Sequence, residues 1–152
     1  MNPKSFQDYF PDDVAICYGC GRNNPDGLQI NSYWEGDTGV CRFYPKDYHT
    51  AFPNVVYGGL IAALIDCHSI GTAMAHAYRM ENREMGTAPE IYFVTGELKV
   101  KYLKPTPMQK ELVLRANVTE YQPKKTLVHC SVFADNVETS RGSLLGIRVP
   151  SY

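Results

Sequence analysis

From Leu28 onward the chain alternates apolar and polar positions, with the alternation interrupted by turns. "LQINSYW", the polar turn Glu35-Gly36-Asp37 and "GVCRFYP" form the pattern of a hairpin. "PKDYHTAFPN" is a connecting loop. One long helical segment is expected from Gly58 to about Arg79, ending in the more polar "RMENREMGTAPE". Three or four strands follow. In "IYFVTGELKVKYL", Tyr92, Val94, Leu98, Val100 and Tyr102 alternate with Thr95, Glu97, Lys99 and Lys101. "PTPMQ" breaks the pattern. "ELVLRANVTEY" then turns at Gln122-Pro123-Lys124-Lys125 into "TLVHCSVFAD", and a last strand lies near "GSLLGIRV". The expected order is two strands, one helix and an antiparallel meander. Residues 1–27, rich in Pro, Gly, Asn and Asp, are expected to be an irregular lead-in to a domain over 28–152.

The helix decides the architecture. From Leu60 to Ile65 it is apolar on every side, so it must be buried on every side. One flat sheet covers only part of it. A sheet rolled around a central helix covers most of it, and a second subunit can cover the rest. The fold class is therefore α+β.

Composition narrows the partners. The 152 residues suit one domain, and 44% hydrophobic with 20% charged residues argues for a folded globule. A net charge of −1 gives no reason to expect nucleic acid or an anionic membrane. No apolar run is expected to approach the length of a bilayer span, and "MNPKSFQDYFPDD" is not expected to act as a signal peptide. The cytoplasm is the default location. Of the five cysteines, Cys17 and Cys20 form a CxxC, half of a zinc site by spacing. Cys41, His49 and His129 could complete it only if the fold brought them in. No strand precedes the CxxC, which argues against thioredoxin-type redox chemistry. The preferred reading is a tight N-terminal turn, with no metal.

Candidate chemistry centres on "VVYGGLIAALIDCHSIGTAM". Gly58-Gly59 starts the helix, where glycine lets a ligand approach and the first N–H groups lack partners. Small residues there also serve plain packing. Asp66, seven residues after Gly59, lies on the same helix face. Burying a carboxylate costs several kcal/mol unless it is paired, and no Lys or Arg lies within one turn. It could also be satisfied by neighbouring hydroxyls, while His68 is too close in sequence to face it. Together, oriented N–H donors and a carboxylate suit acyl transfer. Seven residues at about 1.5 Å rise separate Gly59 from Asp66 by roughly 10 Å, too far for one carbonyl to touch both. A two-fold axis placing two helices antiparallel would bring one subunit's Gly59 beside the other's Asp66, so this chemistry requires a dimer.

These residues resemble the hotdog fold, specifically the PaaI-like acyl-CoA thioesterases. The resemblance rests on "CYGCGRNNPDGLQI" (a CxGCGxxNPxGLxI pattern), the GGxxxxxxD spacing and "YLKPTP". It implies hydrolysis of an acyl-CoA without cofactor or metal, by a homodimer or a dimer of dimers. By position it assigns carbonyl polarisation to the N–H of Gly58 or Gly59. Asp66 of the opposing subunit becomes general base or nucleophile. Thr95 orients the water or supports the acid. Tyr57 stands where the family's HGG motif has histidine, and Ala51 where some relatives have asparagine. Tyr57, His49 and Asn54 are the candidate substrate contacts; His49 could replace the polar group lost at Ala51, but an exposed loop histidine is the preferred reading. For coenzyme A phosphates, Lys124, Lys125 and Arg141 could gather at one end of the meander and Lys99 and Lys101 share one strand face, but a lysine-bearing turn is usually just solvated, which is the preferred reading. A non-catalytic hotdog protein that binds acyl-CoA or another apolar ligand is the alternative.

Overall fold

The computed structural model describes residues 2–151. Its elements are β1 (Ser32–Glu35), β2 (Thr38–Phe43), α1 (Gly58–Met80), β3 (Tyr92–Tyr102), β4 (Leu112–Tyr121), β5 (Lys125–Ala134) and β6 (Val137–Val149). The strands form one antiparallel sheet in the order β1-β2-β4-β5-β6-β3, and α1 packs against all six. This is the α+β arrangement of a sheet around a helix. Leu64, Ile65, Leu112, Leu114, Val128 and Leu144 are fully enclosed between the two layers. The helix is in fact long and apolar enough to cross a membrane, contrary to the sequence expectation. Most of its length is buried inside the protein, which accounts for that composition.

The meander needs correction. Only β4-β5-β6 is one; β3 pairs with β6 and forms an edge, while β4 pairs with β2. The connection 103–111 causes this. It crosses the helix entry, where Val56 N–H donates to the Thr106 carbonyl and Met108 N–H to that of Asn54. β1 also starts later than the alternation implied, because Gln29 (φ 50°) takes a left-handed conformation. β6 starts earlier, because Asp135 and Asn136 (φ 48° and 61°) make a tight two-residue turn.

The N-terminal residues form a pad on the helix. A 3-10 turn at Phe6–Tyr9 is closed by a Ser5–Asp8 capping box, and buried Gln7 accepts from Ser32 N–H (2.8 Å). Buried His68 continues this network. Its Nδ1 lies 2.8 Å from Ser32 Oγ and its Nε2 2.9 Å from the Gly39 carbonyl. The carbonyl can only accept, so Nε2 carries the proton and Nδ1 accepts from the serine. Burial pushes the His68 pKa down to about 4, which keeps the ring neutral. His68→Leu removes a buried donor to the Gly39 carbonyl and a buried acceptor for the Ser32 hydroxyl. It should cost about 2–4 kcal/mol, read as a lower midpoint in urea denaturation.

Candidate active site

Asp66 sits half-buried on α1, and Thr95 Oγ1–H donates to its Oδ1 at 2.5 Å. A bulge makes this contact possible. The β3–β6 register slips between Thr95 and Glu97, leaving Gly96 as the extra residue. Thr95 lies opposite Gly146, and Leu98 opposite buried Leu144, so both turn toward the helix despite their odd spacing. Regular alternation would have put Thr95 on the other face from Leu98. A Cβ at Gly96 would stand 2.7 Å from Ile147 Cγ1, so the bulge takes a glycine.

Asp66 lines a mostly apolar cavity of about 480 Å³ with Phe10, Ile70, Met74 and Phe93. Burial raises its carboxyl pKa, the Thr95 hydrogen bond lowers it, and the nearby Cys17 raises it again. None of the ion pairs among the described residues includes it. A half-buried acid without a cation partner, beside an apolar cavity, is a candidate proton acceptor.

The helix start faces elsewhere. Leu60 and Ile61 N–H both reach back to the Tyr57 carbonyl, and the helix geometry leaves the Gly58 and Gly59 N–H without an intrahelical acceptor. Gly58 lines a second cavity of about 430 Å³ with Phe52, Ile61 and Tyr102. Tyr102 O–H donates to the Gly58 carbonyl at 2.7 Å. Within one chain, then, Gly58 and Asp66 open into different cavities.

The candidate substrate contacts divide. Tyr57 is exposed, and its ring lies across Gly59, where an added Cβ would come 2.4 Å from Cε2. Asn54 is exposed in a left-handed conformation (φ 66°), its carbonyl tied to Met108 N–H. His49 is not an exposed loop residue: it is 9% exposed, against Phe43 and Tyr48. Its Nδ1 accepts from Lys46 N–H at 3.0 Å, closing its own turn.

Lys124, Lys125 and Arg141 do not gather. Lys125 pairs with Ile147, six residues along β6 from Arg141, a separation of roughly 20 Å at strand rise. Arg141 instead lies across from Lys101 and lines an outer-face groove with Lys99, Lys101 and His129.

A cysteine cluster adjoins Asp66, and the sequence reading had missed its third member. Cys17, Cys20 and Cys67 bring their sulfurs within 4.8 Å of one another, and all three line the Asp66 cavity. Cys67, immediately after Asp66 on α1, is the residue the CxxC meets; that adjacency was the available signal. Cys41 and His129 take no part, on β2 and β5, nor does His49. Hydrogen bonds from Cys20 and Cys67 pull the Cys17 thiol down to about 2, whereas sharing with Cys17 pushes Cys20 up to about 12 and Cys67 higher.

Residues 53–140 match the family model of the thioesterase superfamily. A thioesterase superfamily protein from Shewanella loihica PV-4 is 38% identical, with 93% of this chain and 100% of that chain covered and a TM-score of 0.69. A Streptococcus mutans UA159 protein crystallised with acetyl CoA is 15% identical over 79% of this chain and 88% of its own, at TM-score 0.63. The Escherichia coli PaaI protein of the phenylacetic acid degradation operon is 11% identical over 80% of each chain, at TM-score 0.66. No curated protein sequence matches.

Proposed function

The chain belongs to the thioesterase superfamily, and on that premise we propose that it hydrolyses an acyl-CoA thioester to the free acid and CoA. The observation that carries this reading is the half-buried Asp66 carboxylate, oriented by Thr95 and facing an apolar cavity. In the reaction, the N–H groups of Gly58 and Gly59 polarise the thioester carbonyl and stabilise the oxyanion. Asp66 either takes a proton from the attacking water or attacks the carbonyl carbon itself. The carbon–sulfur bond breaks, and CoA leaves as a thiolate that takes up a proton. Where Asp66 attacks directly, water then cleaves the resulting acyl–Asp66 anhydride and restores the carboxylate; in either case water supplies the new oxygen that remains in the products. The cavity is sized for an acyl or aryl group, and no cofactor enters the scheme.

The two parts lie two helical turns apart, so the site combines two subunits. β3 offers a means. It is eleven residues long and forms an edge of the sheet, with β6 on one side only. A two-fold axis beside it pairs β3 with its copy and runs the two helices antiparallel. Gly58-Gly59 of one subunit then meets Asp66 of the other. The proposed protein is a homodimer, or a dimer of such dimers, and a cytoplasmic enzyme.

One observation favours the non-catalytic alternative. The Tyr57 ring lies across Gly59, where the family's motif has histidine, and its bulk crowds the approach of a substrate to the helix start. Short, long and aromatic acyl-CoAs, followed by loss of thioester absorbance, distinguish the readings. Hydrolysis of at least one class is expected. Tight binding of an acyl-CoA with no turnover of any would instead establish a binding protein.

A further inference from the structure

We propose that Cys17, Cys20 and Cys67 are three thiolate ligands of a site for a zinc-class divalent cation, set in the wall of the cavity that Asp66 lines. The turn is built for this. Gly21 N–H donates to the Cys17 carbonyl at 2.8 Å and Ile30 N–H to that of Gly19 at 3.2 Å, which fixes the turn that carries both cysteines. The two glycines let the turn close and press on the helix. A Cβ at Gly19 would stand 2.2 Å from Cys67 Sγ, and one at Gly21 2.5 Å from the Cys17 nitrogen.

The spacing of the sulfurs fits a metal. Zinc holds thiolates at about 2.3 Å in a tetrahedron, which places neighbouring sulfurs about 3.8 Å apart. Cys17 Sγ and Cys67 Sγ lie 3.7 Å apart. A disulfide would need about 2.05 Å. Three soft thiolates select zinc-class ions over magnesium, calcium or manganese. They also leave a fourth position, directed to the cavity, for water or a donor atom of whatever occupies it. The cation would tie residues 17–20 to the catalytic helix one residue from Asp66. This inference stands independently of the hydrolase reading, because its test reads metal rather than turnover.

The test uses the full chain, reduced and stripped of metal, titrated with Zn²⁺ against a chromophoric chelator. One equivalent per chain is expected, and Co²⁺ should give thiolate-to-cobalt charge-transfer absorption. Cys67→Ser should weaken Zn²⁺ binding about 100-fold or more while the metal-free variant keeps the wild-type circular dichroism. If Cys67→Ser does not fold, Cys17→Ser, on the exposed turn, should show the same loss. Absence of stoichiometric Zn²⁺ uptake by the reduced protein overturns the proposal. So does uptake that is unchanged in the folded variants. A Cys17–Cys67 disulfide forming in air, in a protein that takes up no Zn²⁺ when reduced, would assign the cluster to redox chemistry instead.

Discussion

Asp66→Asn should lower acyl-CoA turnover by about a hundred- to ten-thousand-fold, the range for loss of a positioned general base, while the protein stays folded. The structure gives a reason for each half. Asparagine keeps an oxygen where Thr95 Oγ1–H donates, so the helix and the bulged strand remain joined. It also removes a charge that burial already disfavours, so the midpoint of unfolding should hold steady or rise. Substrate binding should change little, because the apolar lining of the cavity is untouched. Circular dichroism and thermal melts beside the thioester assay decide the matter. Wild-type turnover in a folded Asp66→Asn protein would remove Asp66 from the mechanism.

What was legible in the sequence follows the range of the physics behind it. The helix and its burial were readable because six consecutive apolar residues leave no solvent face, and the rolled sheet followed from having to cover them. Pairing order was not readable. Alternation in β3 fixes its faces and not its neighbours, and the crossing of 103–111 over the helix entry depends on long-range backbone bonds. Thr95 shows how local rules can reach the right contact for the wrong reason. Alternation set it opposite Leu98, whereas the bulge at Gly96 turns both inward. His49 was open to misreading because a polar residue in a loop is usually solvated, and nothing local records that Phe43 and Tyr48 close over it. The CxxC looked incomplete for a similar reason. Its third sulfur lies 50 residues away, and only the folding of the N-terminal pad onto α1 brings it near.

Subunit mixing should give the other large effect. Gly59→Val alone should lower turnover about 100-fold, since it crowds the N–H donors and displaces the Tyr57 ring. Asp66→Asn alone should be as inactive. In a heterodimer of the two variants, tagged differently and purified through both tags, one composite site pairs an intact Gly59 with an intact Asp66. The other pairs both lesions. Such a heterodimer should recover about half the wild-type turnover per dimer, because one of its two symmetry-related sites is whole. Recovery could not come from either chain alone. A site formed within one chain predicts no recovery, since every chain carries a lesion. The separate cavities of Gly58 and Asp66 in the single chain favour recovery. An inactive heterodimer whose parent variants are each folded and dimeric would return both groups to one subunit. It would then require the helix entry to move toward Asp66 when substrate binds.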